Sequence, residues 1–282
     1  MRTAGRGTLE SAARVRFAEL VARRAVPLDE AALAIAQEEY PDLDPAPVLA
    51  RLDALAARVR EAAGPEPRAA SLLRAAREVL FRQEGFRGNA DAYEDPRNSF
   101  LNDVLERKLG IPISLSVVLM EVGRRAGLRL EGIGWPGHFL TRVEAPGGTE
   151  VYVDAFRGGA FLSAEDVVTG LRPSEGPAPD HRHLTPVGAR EILARMLRNL
   201  LHVSQEAGDP VRAYWVLDRM VLLSPDSPAL LRDRGLAAAR LGANAAAVRD
   251  LGDYLARAPG APDEVEVRDA LEELQARGVL LN

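Results

Sequence analysis

Residues 98–144 read NSFLNDVLERKLGIPISLSVVLMEVGRRAGLRLEGIGWPGHFLTRVE, and residues 151–159 read VYVDAFRGG. Gly110 interrupts the first stretch. Pro112 suits the opening turn of a helix, where its missing amide hydrogen would have had no partner. From Ile113 to Ala126 most faces are apolar (Leu115, Val117, Val118, Leu119, Met120, Val122), which predicts a buried central helix closed by Gly127. Three short segments rich in β-branched and aromatic residues follow: Arg129 to Trp135, His138 to Glu144 and Val151 to Phe156. They are expected as strands, the last two joined into a hairpin through Pro146-Gly147-Gly148. A buried helix over a small antiparallel sheet is an α+β arrangement. On this layout His138 starts one strand and Asp154 lies in the next.

Upstream, Asp95-Pro96-Arg97-Asn98-Ser99 reads as a turn, with Asn98 or Ser99 capping a helix over 99–108. Residues 9–87 are helical in pattern. One helix is expected from Leu9 to Ala25 and a second from Leu28 to about Tyr40. Asp44 and Pro45 open a third that runs to Ala63, and a fourth spans Arg68 to about Gln83. Bundle packing accounts for all of them.

Downstream, identical residue types recur at one offset. Gly208 and Gly242, Ala213 and Ala247, Leu217 and Leu251, and Pro225 and Pro259 are each 34 residues apart. A small residue at the helix crossing, an apolar residue four later and a proline after the second helix fit a tetratricopeptide repeat. Gly235 takes the small position of another helix, while Leu231 and Ala238 replace the usual large aromatics, so the repeats are degenerate. Asp263 to Arg277 would cap the stack. Tyr214 and Trp215 read as packing between helices. Residues 171–187 (LRPSEGPAPDHRHLTPV) are rich in proline and polar residues and read as a linker. Their Asp180-His181-Arg182-His183 cluster lacks neighbouring further ligands for a metal. The expected organisation is therefore 1–170 as helical bundle plus core, 171–187 as linker, and 188–282 as repeats.

Composition narrows the function. The 282 residues contain no cysteine, which removes disulfides and thiolate metal sites. Net charge is −5 with basic and acidic residues interspersed, which argues against nucleic acid as the main partner. Only Lys108 among the 36 basic residues is lysine, so arginine here reflects coding bias before phosphate binding. Neither a membrane span nor the apolar core of a signal peptide is apparent, and a cytoplasmic protein is expected.

The order helix start, His138, Asp154 resembles the papain and transglutaminase-like layout. Residues 98–163 look like the bacterial branch in which such a core precedes tetratricopeptide repeats; a related core occurs in a eukaryotic F-box protein. The resemblance implies a nucleophilic cysteine at the helix start, a strand-borne histidine base and an aspartate that orients it. His138 and Asp154 match the last two roles. For the first, counting back from Gly127 reaches Pro112, and small shifts reach Ser114 or Ser116. Proline has no nucleophile, and serine lacks the low-pKa thiolate this scaffold exploits.

Two functions compete on these residues, the first being the expectation, and a regulatory protein acting on transcription or stress responses through protein contacts is a third reading. One is an adaptor in which residues 188–282 hold a protein or peptide and the core keeps a non-catalytic cleft, with Asn98, Asn102, Ser116, Trp135 and Arg157 as lining candidates. The other is a serine-dependent amide hydrolase or acyltransferase using Ser114, His138 and Asp154. Arg157-Gly158-Gly159 is either an anion-friendly loop or a plain turn. No cofactor, metal, nucleic-acid or membrane partner is expected, and the oligomeric state is not legible.

Overall fold

Pro45, Pro112, Pro210 and Pro228 each stand in the first turn of a helix. Proline's fixed φ suits that place and its absent N–H goes unmissed. A computed structural model describes residues 11–144, 148–172 and 178–279. They form two compact units, Arg23–Met196 and the described parts of Met1–Ala22 with Leu197–Asn282.

Helix α1 (Ala12–Val21) is capped by Ser11, whose hydroxyl accepts from the Arg14 amide at 3.0 Å. Its helical periodicity alone groups it with the helices that follow. It belongs instead with the C-terminal helices, where Arg14 Nε donates to Asp218 Oδ2 at 2.8 Å and Phe17 and Leu20 are fully buried. Amphipathic periodicity shows that a helix has a face to bury but does not say against what.

In the unit Arg23–Met196 the helices α2 (Leu28–Glu39), α3 (Pro45–Ala63) and α4 (Ala69–Arg77) come first. The Asp44 carboxylate caps α3 by accepting from the Ala46 amide at 3.0 Å, as its sequence implies. Helix α4 runs on through a π-helical turn, Glu78–Gln83. Then come β1 (Arg87–Gly88), a 3-10 turn (Pro96–Asn98), α5 (Leu101–Arg107), β2 (Leu109–Gly110) and α6 (Pro112–Ala126). The start of α5 carries no side-chain cap; its capping residue is Phe100, not Asn98 or Ser99. Helix α6 is buried along most of its length, from Pro112 to Ala126. Burial of each of its large aliphatic side chains contributes roughly 1.5–3 kcal/mol, which is why this helix centres the unit. Gly127 ends it at φ 93°, and Leu128 N donates back to Gly123 O at 2.8 Å.

A five-stranded antiparallel sheet lies beside it, in the order β6 (Ala160–Leu162), β5 (Glu150–Asp154), β4 (Leu140–Glu144), β3 (Glu131–Ile133) and β7 (Pro186–Val187). Thr141 pairs with Val153, and Ile133 with Leu140. Ile133, Leu140 and Tyr152 share one face and pack with Trp135, Leu171, Leu184 and Val167 of helix α7 (Ala164–Gly170). Residues 145–147, within the expected hairpin turn, lie outside the described residues, though β4 and β5 pair as that turn requires. Two corrections follow. His138 precedes its strand by two residues instead of starting it. The described part of 171–187 is no free linker, because Pro186 and Val187 pair with β3 and Leu184 is buried in the core. Proline at 186 suits an edge strand, where a missing donor costs no ladder bond.

Helix α8 (Ala189–Glu206) closes this unit, and its later turns belong to the other. There α9 (Pro210–Leu223), α10 (Pro228–Arg240), α11 (Asn244–Arg257) and α12 (Glu264–Val279) pack as successive antiparallel helices. Gly208 and Gly242 hold φ of 64° and 74° in equivalent turns, which is the 34-residue repeat made physical. A Cβ on Gly235 would stand 2.8 Å from Leu251 Cδ2, so the small residue lets two helices meet closely. Tyr214 and Trp215 are buried in the packing. Asp218 and Asp250 are also buried, and Arg234 bridges them at 2.8 and 2.6 Å. Among the described residues no helix is long and apolar enough to cross a membrane, and no cluster of His, Asp and Glu could hold a metal ion.

Candidate functional site

Asp154 ends β5 with no exposed surface. An isolated buried carboxylate is costly, and here two backbone amides bond it and an imidazole lies beside it. Its Oδ1 accepts from the amides of Phe156 and Arg157 at 3.1 and 3.2 Å, a side-chain-closed turn. Its Oδ2 lies 2.9 Å from His138 Nε2, within ion-pair distance but not aligned as a hydrogen bond, and neither atom has a hydrogen-bond partner among the described residues. The backbone after Asp154 turns through Gly158 and Gly159, both at positive φ, and Gly159 N donates to Asp154 O at 2.9 Å. Arg157-Gly158-Gly159 is thus a turn. The Arg157 guanidinium is mostly exposed, with Nε 3.7 Å from Asp154 Oδ2 at the margin of the pair.

His138 is presented by a tight turn. Gly137 has φ 72°, and His138 N donates to Trp135 O at 3.0 Å. From α8, Arg195 Nη2 donates to the carbonyls of Trp135 and His138 at 2.8 and 2.6 Å. The imidazole is nearly buried, with the Phe156 ring edge-on at 6.2 Å and Tyr93 edge-on to Phe156 in turn. With Nε2 2.9 Å from the carboxylate, Nδ1 is the ring nitrogen outside that contact.

The third group is where the sequence expectation fails. Ser114 is buried, and its hydroxyl accepts from Ile111 N at 3.1 Å and donates toward Asn98 O at 2.5 Å, with Ile111 O at 3.2 Å. It fastens the start of α6 to the preceding segment and, among the described residues, makes no bond to His138. Ser116 is fully buried with its hydroxyl unpartnered. Among the described residues no hydrogen bond joins Ser114 to His138, so the three expected triad members are not brought together as a triad.

The other candidates also take structural places. Asn98 is fully buried, donating to Ala92 O and Tyr93 O at 2.7 and 3.1 Å and accepting from Asn89 Nδ2 at 2.9 Å. Asn102 keeps a buried, unpartnered Oδ1 on α5. Trp135 is a core residue whose indole N–H donates to Leu171 O at 2.7 Å. The sequence reading missed Arg195, Phe156 and Tyr93. Nothing local marks Arg195 among so many arginines; only the fold brings it to residues some 60 positions away.

This core of buried helix, antiparallel sheet and His–Asp pair is that of a transglutaminase-like protein. A profile of the transglutaminase-like superfamily matches residues 46–198, more than half the chain, and one of the tetratricopeptide repeat matches 200–272. The chain belongs to the transglutaminase-like superfamily and carries a repeat tail. Its relatives are UPF0162 proteins. One from Xylella fastidiosa (strain Temecula1) is 43% identical over 88% of this chain and 90% of its own length. One from Vibrio cholerae is 32% identical over 65% of this chain and 68% of its own. F-box only protein 21 of Mus musculus is 31% identical over 54% of this chain, which corresponds to 25% of that protein.

Proposed function

We propose that this protein is a non-catalytic, protein-binding member of its superfamily, an adaptor whose repeat helices hold a protein or peptide partner. The transglutaminase-like core serves as its second, remnant cleft. One observation carries this reading: the hydroxyl nearest the expected nucleophile position is committed to the helix start, while His138 and Asp154 pair without it. Tetratricopeptide repeats generally mediate protein contacts by stacking helices into an extended surface. Val211 on α9 and Leu241 at the end of α10 are exposed apolar residues of that unit.

The test uses the whole chain. Cross-linking in cells of the native protein, of V211E/L241E and of H138A should recover one specific partner with the native form and H138A, and lose it with V211E/L241E. Equal recovery by all three, or turnover of amide or ester substrates that H138A abolishes, would overturn the reading.

A further inference from the structure

Away from the His–Asp pair, Arg74, Arg77, Glu78, Arg82 and Phe161 line a recess of about 510 Å³. Arg74 and Arg77 are one helical turn apart on α4. Arg82 comes five residues after Arg77, which on an α-helix would carry it to another face. The intervening π-helical turn changes that. Its hydrogen bonds reach back five residues, as in Glu84 N to Val79 O at 2.9 Å, so residues five apart stack on one side. A π-helical turn is rare and frequently marks a functional position.

The charges are uncompensated. No ion pair of Arg74, Arg77 or Arg82 is found among the described residues, and Glu78 is the one carboxylate lining the recess. Like charges one turn apart repel. Arg77 is set deeper than Arg74 and Arg82, its Nε shielded from solvent and without a hydrogen-bond partner among the described residues. Its position is fixed from both sides. The guanidinium carbon lies 4.9 Å from the Phe161 ring centre, and a Cβ on Gly159 would stand 3.2 Å from Arg77 Cγ. Stacking on an aromatic face pre-orients the planar fork and leaves its N–H edges for an anion.

We infer that this recess is a binding site for a phosphomonoester, with Arg77 as its fixed, fork-like donor and Arg74 and Arg82 closing around the remaining oxygens. Three guanidiniums against one carboxylate leave a local charge of plus two, matched by a phosphate dianion and not by a single carboxylate. Arginine is abundant throughout this chain, but the shared face and the aromatic platform are not matters of composition. The inference does not rest on the adaptor reading.

Isothermal titration of the full-length protein with inorganic phosphate, with a phosphoserine peptide and with the same peptide carrying glutamate tests it. Saturable binding of phosphate or of the phosphopeptide is expected, weakened about tenfold or more by Arg77→Met and by the exposed pair R74S/R82S. Binding of phosphate itself identifies a free phosphorylated molecule as the source; binding of the phosphopeptide alone identifies a modified side chain. The double variant changes only exposed positions, so it decides the matter if Arg77→Met fails to fold. Absence of saturable binding in the millimolar range, equal binding of the glutamate peptide, or affinity unchanged in both variants would overturn the proposal.

Discussion

Arg195 and His138 are joined through the backbone: the guanidinium donates to the His138 carbonyl at 2.6 Å and to the carbonyl of Trp135 at 2.8 Å. The imidazole's position is therefore set by a helix that lies far along the chain. Replacing Arg195 with Met keeps an apolar stem and removes both bonds together with the guanidinium that lies over the Phe139 ring at 5.6 Å. The expected cost is about 1–3 kcal/mol in urea unfolding, with faster amide exchange at His138. Unchanged exchange there would show that the turn holds itself.

Ser114 supplies a second prediction. In a chain without cysteine, Ser114→Cys introduces a single thiol. Because residue 114 is buried and turned toward Asn98 O, that thiol should react with iodoacetamide slowly at neutral pH, as a buried thiol of raised pKa does. Fast labelling that H138A suppresses would place the nucleophile position at 114 after all.

Gly158 and Gly159 separate backbone strain from crowding. Both have positive φ, but a Cβ on Gly158 meets nothing within 4 Å, whereas one on Gly159 stands 2.5 Å from the Phe81 ring. Gly158→Ala should cost about 1–2 kcal/mol from the left-handed conformation alone. Gly159→Ala should add about 1–3 kcal/mol of overpacking and disturb the turn that orients Asp154. Equal melting temperatures for the two variants would contradict the close approach.

Asp95 predicts a pH dependence. The hydrogen bond from the Arg97 side chain, with the Arg97 amide and the Arg107 charge, holds its carboxyl below the ordinary 3.8 against the opposing effect of burial. A lowered folded-state pKa stabilises above the unfolded value and loses that contribution as pH falls through the folded value. Asp95→Asn should therefore be less stable than the native protein at neutral pH, and the gap should shrink below about pH 4. Melting curves across that range check it; a gap independent of pH would mean the carboxylate's charge is immaterial.

Local rules settled much of this protein from its residues. Asp44 with Pro45, Pro112 with Gly127, and the glycines at 208 and 242 fix where helices start and stop, because caps and positive φ are properties of single residues. The 34-residue offset was legible for the same reason, as a pattern of residue type and spacing, whereas the pairing of His138 with Asp154 followed from the resemblance to the transglutaminase-like layout. Tertiary structure alone decided that α1 joins the repeats, that Pro186 and Val187 complete the sheet, and that Ser114 bonds to Asn98 instead of His138. Those outcomes depend on which surfaces and hydrogen-bonding groups meet across long stretches of chain. A periodic pattern states that a face will be buried; only packing selects its partner.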